Sequence, residues 1–161
     1  MDYPITAAVR KLRAAKVEFS PHLYNYVEKG GTRASAAALD VPEHAVIKTL
    51  LFETDAAKPF IVLMHGDRQV SAKELARQIG AKSIRTCSPN TAQRVTGYLV
   101  GGTSPFGAKT KTPVYVEKSV FKLPLIYING GKRGFLVSMP PETLRKVLKV
   151  EEVEVGLETA T

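Results

Sequence analysis

The sequence predicts a single α+β domain, in which peripheral helices flank a mixed, largely antiparallel and barrel-like sheet. Short apolar runs typical of strands alternate irregularly with helical stretches, without the regular strand–helix–strand repeat of a parallel α/β fold. The 161 residues are enough for one hydrophobic core, whereas two independent domains would each be marginal. We assign residues 1–150 to this domain and expect residues 151–161 to form an acidic C-terminal tail that frays.

The helices are predicted from apolar residues spaced three to four apart and from capping signals. Ser71, with Glu74 three residues later, forms the signature of a capping box, and Gly80 is expected to end that helix. Pro42 discourages continuation of the alanine-rich helix before it. The predicted helices cover about residues 5–16, 33–39, 72–79, 89–95 and 140–149.

Short apolar runs bounded by polar or glycine-rich segments predict the strands. The runs at 46–52 and 59–64 are separated by a few polar residues, so we expect them to pair and to be buried on at least one face. The predicted strands lie at about residues 23–24, 46–52, 59–64, 83–86, 114–116, 125–128 and 135–137, and residues 129–134 form a turn between the last two.

The charge of the chain is unevenly distributed. All 23 lysines and arginines lie at or before Lys149, while four of the 15 acidic residues lie in the tail. Residues 1–150 therefore carry 23 basic and 11 acidic side chains, a charge of +12, against +8 for the whole chain. Such an excess attracts polyanions, of which nucleic acid is the commonest in the cytoplasm. Solubility alone would also explain this composition.

Several classes of protein are disfavoured by what the sequence lacks. No apolar run approaches the roughly 20 residues that span a bilayer, and the N-terminus has no secretory signal, so we expect a cytoplasmic protein without membrane association. The single cysteine, Cys87, and the three histidines show no metal-ligand spacing, so we expect neither a disulfide nor a metal. The glycine clusters match neither a Walker loop nor a dinucleotide fingerprint, and we expect no cofactor.

No nucleophile is supported by its sequence context. Ser104 lacks the G-x-S-x-G pattern of serine hydrolases, because Phe106 stands where the second glycine belongs. Cys87 lies at the end of a predicted strand, which is more typical of packing than of catalysis. His22 and His65 lie beside strands and are expected to be structural.

Three other features are candidates for a binding site. Lys48 interrupts an apolar strand, so its ammonium must face either solvent or a pocket, since burying it unpaired is costly. Gly101–Pro105 offers backbone N–H groups that suit an oxyanion, although a tight turn made only for folding has the same composition. Asn129–Gly134 is either a plain hairpin turn or a phosphate site that uses Lys132 and Arg133.

Three segments together resemble the YbaK/EbsC family of Cys-tRNA(Pro) deacylases. They are Ile47–Leu51, Thr96–Gly107 and Tyr127–Gly134, in the order found in that family. The resemblance runs from the first helix to about Lys149. It implies a fold related to the editing domain inserted in bacterial prolyl-tRNA synthetases, and an activity in trans on mischarged tRNA.

The resemblance also implies roles for individual residues. Lys48 aligns with the family's essential lysine, which would hold the 3′-terminal phosphate and ribose as a point charge. Tyr24 matches a pocket tyrosine, and Gly101 matches the backbone that grips the aminoacyl carbonyl. The other implied substrate-binding residues are Thr49, Gly102, Thr103, Ser104, Pro105, Asn129, Gly130, Gly131, Lys132 and Arg133.

In cysteine-specific relatives the substrate's own thiol attacks the ester carbonyl and leaves as a cyclic thioester, so the resemblance implies no enzymic nucleophile. The implied partners are the acceptor stem and 3′ aminoacyl-adenosine of tRNA, with prolyl-tRNA synthetase as a further candidate. Two positions depart from the pattern: Asn129 replaces a serine of close relatives, and Leu136 replaces an acid that some carry.

The expected substrate is Cys-tRNA(Pro), followed by Cys-tRNA(Cys). Related editing proteins with the same lysine clear other small amino acids, so deacylation of Ala-tRNA(Pro) is an alternative. A module that binds tRNA or a synthetase without catalysis would present the same positive surface. A small-molecule pocket unrelated to tRNA is a third alternative.

Overall fold

The structure, a computed structural model, describes residues 2–158. The helices and strands are, in chain order, α1 (Ala7–Ala14), β1 (Ser20–Leu23), α2 (Gly31–Leu39), β2 (Val46–Thr54), β3 (Pro59–His65), β4 (Arg68–Val70), α3 (Ala72–Ile79), β5 (Ile84–Thr86), α4 (Pro89–Thr96), β6 (Val114–Glu117), β7 (Ile126–Lys132), β8 (Phe135–Met139), α5 (Glu142–Val147), β9 (Val150–Val153) and β10 (Gly156–Glu158). The helices and strands predicted from sequence all have counterparts, with ends displaced by a few residues.

A mixed sheet forms the centre of the fold. Its strands follow the order β1-β8-β7-β2-β3-β6-β9, and β5 joins β2 beside this path. The pairs β1–β8, β7–β8, β2–β3 and β2–β5 are antiparallel, whereas β2–β7, β3–β6 and β6–β9 are parallel. The predicted α+β class with a mixed sheet is confirmed.

Strand β2 has an open edge on the side opposite β3. Pairing with β7 covers only Val46 and Ile47, and pairing with β5 begins at Phe52. Among the residues that the structure describes, no strand pairs with Lys48–Leu50 on this side, and we call these three residues the open edge of β2. The gap leaves room for a cavity inside the sheet.

Both faces of β3 are buried, whereas the sequence predicted burial of at least one face. Ile61 and Leu63 belong to the main core under α1 and α5, while Phe60, Val62 and Met64 belong to a second core that includes Leu75 of α3. A smaller third cluster joins Ala36 of α2 to Val46 and Leu136, and it packs against the cavity wall. The two faces of β3 therefore pack into different hydrophobic cores.

The C-terminal segment was expected to fray, but it is ordered through residue 158. Residues 150–153 form β9, which extends the main sheet, and residues 156–158 pair with β4. Val153 and Val155 are buried, and the carboxylate of Glu117 accepts hydrogen bonds from the N–H groups of Val155 and Gly156 at 2.7 and 3.0 Å. The expectation is wrong for residues 151–158 because Val153 and Val155 pack into the second core with Phe60 and Leu75; residues 159–161 lie outside the described part.

The same segment changes the predicted cap of α3. The hydroxyl of Ser71 accepts the N–H of Glu74 at 3.2 Å, as in a capping box. The reciprocal bond is absent among the described residues, because the Ser71 N–H donates to Val155 and the Glu74 carboxylate binds Arg77. The hydrogen bond from Ser71 to the distant Val155 has therefore replaced one of the two bonds of the capping box.

His65 at the end of β3 is structural. Its Nδ1 lies 2.7 Å from the carbonyl of His44, and since a carbonyl only accepts, Nδ1 carries the proton. Its Nε2 lies 2.7 Å from Ser119 Oγ, and its ring stacks on His44 at 3.7 Å. Burial lowers the pKa of His65; the His44 carbonyl and the charges of Asp67 and Glu117 act in the opposite direction.

This burial predicts a loss of stability in mild acid. Below the ordinary histidine pKa of 6.5, the unfolded chain binds a proton that the folded ring resists, so the free energy of unfolding falls as the pH falls. We expect urea denaturation to give a lower free energy of unfolding at about pH 5 than at about pH 7.5, and a smaller difference for His65→Asn. An equal difference in both proteins would contradict the assignment.

No helix among residues 2–158 is long and apolar enough to cross a membrane.

Candidate active site

A cavity of about 390 Å³ opens beside the open edge of β2. Its walls come from the segment after β1, the start of α2, strand β2, the junction of β5 and α4, and the loop before β6. Six of the residues predicted from sequence line it: Tyr24, Lys48, Thr49, Gly101, Thr103 and Asn129. Residues more than 100 positions apart in the sequence therefore meet in one cavity.

Lys48 lies on the wall of this cavity. Side chains alternate along β2, so Lys48 lies on the opposite face from Ile47 and Leu51, which belong to the main core. Its ammonium lies 3.5 Å from the carbonyl of Gly66. Burial lowers the pKa of Lys48, and the negative charges of Glu43 and Asp67 oppose that effect. The lysine is thus half-buried at a pocket, which was one of its two predicted environments.

Lys48 is close to a hydrogen-bond network of Thr32, Glu43 and Gly66, none of which was predicted from the sequence. Thr32 Oγ1 donates to the Glu43 carboxylate at 2.8 Å and also lies 3.3 Å from the Gly66 carbonyl. A Cβ added to Gly66 would lie 2.6 Å from Thr32 Oγ1, so a larger residue would displace the network. These residues come from three separate places in the chain, the first turn of α2, a short 3-10 helix before β2 and the turn after β3, and no local motif marks them.

Gly101 approaches the cavity in a conformation that favours glycine. Its φ is +91°, and an added Cβ would lie 2.5 Å from the hydroxyl of Tyr26. The N–H of Gly102 donates to Leu99 at 2.9 Å and is therefore already used within the turn. The N–H of Gly101 has no partner among residues 2–158, which leaves it available to a ligand.

The turn at 129–133 holds the Gly101 loop in place. Asn129 Nδ2 donates to the Gly101 carbonyl at 3.1 Å, and its Oδ1 accepts the N–H groups of Gly131 and Lys132. Arg133 Nε donates to the carbonyl of Val100 at 2.8 Å, and its guanidinium lies 5.3 Å from the centre of the Tyr26 ring. Asn129, which replaces a serine of close relatives, thus bridges two segments of the site.

Seven predicted binding residues do not line the cavity: Gly102, Ser104, Pro105, Gly130, Gly131, Lys132 and Arg133. Ser104 is fully buried, and its Oγ accepts the N–H of Phe106 at 3.2 Å. Pro105 lines a separate hollow. A Cβ on Gly130 would lie 2.5 Å from the Phe135 ring, so packing explains this glycine. These positions support the loop, and their proposed contacts with a substrate stay predictions.

The 129–134 segment also differs from the expected turn. Strand β7 continues through Lys132, and its pairing with β8 shifts register between Asn129 and Lys132. Gly131 has a φ of +99°, which permits this bulge. The two extra residues on β7, Gly130 and Gly131, come shortly after Ile128, where the pairing of β7 with β2 ends.

No activated nucleophile borders the cavity within the described residues. Cys87 lines it, but burial raises the pKa of its thiol, and the charge of Glu53 adds to this, so the thiolate is disfavoured. None of the three histidines lines the cavity. His22 contacts Ser138 at 2.7 Å. The cavity can therefore orient and polarise a ligand but offers no cysteine–histidine pair.

Replacing Gly101 by Ala should lower any activity of this site by about 10- to 100-fold. The substitution places a Cβ against the Tyr26 hydroxyl and strains a positive φ, together costing roughly 1–3 kcal/mol in loop position. Gly80, with a φ of +80° at the end of α3 and open space around it, is the matched control: Gly80→Ala should lower stability but not activity. Equal activity losses in both variants would contradict a role of the Gly101 loop in the site.

A family profile described as "Aminoacyl-tRNA editing domain" matches residues 29–147. The chain belongs to this family. This editing domain is 25% identical over 151 residues to EbsC of Enterococcus faecalis, and the match covers 93% of this chain and 92% of EbsC. EbsC is named as a candidate Cys-tRNA(Pro)/Cys-tRNA(Cys) deacylase. The resemblance inferred from the three sequence segments is confirmed.

Longer proteins and solved structures extend this comparison. The editing domain is 32% identical over 100 residues to the proline–tRNA ligase of Streptococcus equi subsp. equi, of which the match covers only 16%. It superposes with a TM-score of 0.83 and 18% identity on a crystal structure named as a candidate trans-editing enzyme for prolyl-tRNA synthetase, covering 99% of this chain and 100% of the other. Hypothetical protein APE2540 gives a TM-score of 0.86 at 20% identity, covering 94% and 99%. These two structures establish the shared fold.

Proposed function

We propose that this editing domain hydrolyses mischarged aminoacyl-tRNA in trans, with Cys-tRNA(Pro) as its first substrate and prolyl-tRNA synthetase as a partner that supplies the mischarged tRNA. One observation carries the proposal: Lys48 and the Gly101 loop border the same cavity, whose lining residues include a cation and an unpartnered N–H but no histidine. Such a cavity suits an ester beside a phosphate, because it can bind the anion and polarise the carbonyl.

In the proposed mechanism the thiol of the bound cysteine does the chemistry. The sulfur attacks the ester carbonyl carbon, the bond from that carbon to the ribose oxygen breaks, and the thiol proton ends on the ribose oxygen. The products are tRNA and a cyclic thioester that water opens to cysteine. Lys48 holds the terminal phosphate and ribose, and the Gly101 N–H stabilises the developing oxyanion. The raised pKa of Cys87 agrees with a mechanism that does not use it.

The cavity wall favours a small uncharged side chain in the substrate. Val46, Leu50 and Leu136 contribute apolar surface, and Leu136 stands where some relatives carry an acid. A charged or long side chain would be desolvated there without a partner. Cysteine and alanine both meet this requirement, and only the thiol distinguishes the proposed mechanism from the alternative that favours alanine.

A panel of purified aminoacyl-tRNAs tests the proposal. We expect release of amino acid well above spontaneous hydrolysis from Cys-tRNA(Pro), slower release from Cys-tRNA(Cys) and Ala-tRNA(Pro), and none from Pro-tRNA(Pro). 2-Aminobutyryl-tRNA(Pro) is the matched control, because it has nearly the size of the cysteinyl ester and lacks the thiol. Equal rates for the cysteinyl and 2-aminobutyryl esters would refute thiol assistance.

The same panel distinguishes the non-catalytic alternatives. A module that only binds tRNA would show salt-dependent binding, since neutralising phosphates releases counterions, but no release of amino acid above background. Undetectable binding to tRNA at low salt would favour a small-molecule pocket instead. Either result would refute the proposed deacylase.

A further inference from the structure

The backbone of Thr49 is turned towards the cavity. The carbonyl of the next residue but one, Leu51, accepts the N–H of Cys87 at 2.9 Å, so the polar groups of Leu51 point away from β3. Opposite Leu51 on β3, the N–H of Ile61 donates to Pro113 at 2.9 Å, as expected for a pair without mutual hydrogen bonds. Since backbone direction repeats every second residue, the N–H and C=O of Thr49 also point away from β3.

On that side Thr49 meets the gap in the sheet. Pairing with β7 ends at Ile47 and pairing with β5 begins at Phe52, so within residues 2–158 no strand satisfies the Thr49 N–H and C=O. The side-chain hydroxyl of Thr49 is also buried without a hydrogen-bond partner in the described part of the chain. Three polar groups of Thr49, which lines the cavity, therefore have no partner among residues 2–158; the hydroxyl is buried, and buried polar groups in native proteins generally have partners.

The proposed substrate carries an α-ammonium group that needs a hydrogen-bond acceptor, and within residues 2–158 Thr49 has a free carbonyl. An aminoacyl ester brings an α-ammonium group into the cavity, where it must find an acceptor or be desolvated at high cost. None of the described residues that line the cavity is an aspartate or glutamate, and Lys48 repels a second cation. The carbonyls of Leu51, Val100 and Gly101 already accept hydrogen bonds. Among the β2 residues that line the cavity, Thr49 is the one whose carbonyl accepts no hydrogen bond from residues 2–158.

We propose that the aminoacyl group of the substrate pairs with Thr49 as if it were one residue of an added antiparallel strand. Its α-ammonium donates to the Thr49 carbonyl, and the Thr49 N–H donates to the acyl oxygen, which has a second lone pair for the Gly101 loop. A hydrogen-bonded antiparallel pair joins one residue to one residue through two such bonds. This inference rests on the proposed deacylase function and names the groups of the substrate that the site recognises.

The proposed pairing implies that different parts of the site recognise the main-chain atoms and the side chain of the substrate amino acid. Thr49 would contact only atoms that all α-amino acids share, so the choice among amino acids falls to the opposite wall and to the thiol. A substrate whose amino group is acylated, such as peptidyl-tRNA, would lose the charge and gain bulk at this edge. The site would therefore spare peptidyl-tRNA.

The first test removes the ammonium and keeps the thiol. 3-Mercaptopropionyl-tRNA(Pro) differs from Cys-tRNA(Pro) only by the missing α-amino group, so it keeps the attacking thiol but has a less electrophilic ester. After each rate is normalised to spontaneous hydrolysis of the same ester, we expect kcat/KM to fall roughly 10- to 100-fold, as for loss of a hydrogen bond to a charged group. Equal normalised values would overturn the inference. If neither ester is cleaved, the proposed function fails instead.

The second test removes the Thr49 N–H. Proline has no N–H, and because this N–H lies outside the β2–β3 ladder, Thr49→Pro should cost the sheet no hydrogen bond. Thr49→Val is the matched control, since it loses the hydroxyl and keeps the N–H. We expect folded Thr49→Pro to deacylate Cys-tRNA(Pro) about tenfold more slowly than Thr49→Val. Equal rates would overturn the role of the N–H, and if Thr49→Pro does not fold, the ester comparison decides.

Discussion

Replacing Lys48 by Ala is expected to lower kcat/KM for deacylation by at least roughly 100-fold, because the variant loses the only cation that lines the described cavity. The ammonium would contact the terminal phosphate in a half-buried site, where a charge-assisted hydrogen bond is strongest. Single-turnover deacylation of Cys-tRNA(Pro) measures the loss. The unfolding temperature should change little, because the burial cost of Lys48 opposes its attraction to Glu43 and Asp67.

Two further variants make this test specific. Lys58→Ala removes an exposed lysine from the turn between β2 and β3, so it controls for net charge and should keep full activity. Lys48→Arg keeps the charge but replaces a point charge with a larger planar group, and it should recover only part of the activity. Full activity of Lys48→Ala would refute the site. A similar loss in Lys58→Ala would show that the effect is one of overall charge.

Deleting residues 150–161 is expected to unfold the protein or to lower its free energy of unfolding by several kcal/mol. Burial of Val153 and Val155 contributes about 1.5–3 kcal/mol each. The buried carboxylate of Glu117 would also lose both of its N–H donors, at a cost of about 1–3 kcal/mol. Because the whole stability of a domain is about 5–15 kcal/mol, thermal unfolding should detect the change easily.

A matched pair of point variants separates this effect from loss of length. Val155→Ala removes buried methyl groups and should lower the free energy of unfolding by about 1.5–3 kcal/mol. Leu157→Ala lies in the same segment, but Leu157 is 49% exposed, so its effect should stay within about 0.5 kcal/mol. Equal effects of the two substitutions, or a deletion that leaves stability unchanged, would contradict the structural role of the segment.

The sequence by itself determined most of the elements and the family. The apolar run of β3 and the hydrogen bond from the Glu74 N–H to the Ser71 hydroxyl follow from local signals, and both are present as predicted. The three segments around Lys48, Gly101 and Asn129 were sufficient to identify the family, because each keeps the residue types that a short structural motif requires. Six of the predicted site residues then meet in one cavity.

Only the tertiary structure decided which predicted residues face that cavity. Gly130 and Ser104 share their motifs with lining residues, yet one packs on Phe135 and the other is enclosed in the core. Local sequence specifies that glycine or serine is needed there, but it does not say whether the reason is a ligand or a neighbouring side chain. That difference depends on contacts between distant segments.

The open edge of β2 and the ordered C-terminal segment also depend on tertiary contacts that the sequence does not reveal. Thr49 lies in a strand that the sequence predicts, but its unpaired N–H and C=O follow from where β7 and β5 stop pairing with β2. The acidic residues after Lys149 suggest a solvated tail, whereas Glu117 and the second core hold it in place. Strand pairing and burial arise from long-range contacts, and a single sequence carries no direct signal of which distant segments will meet.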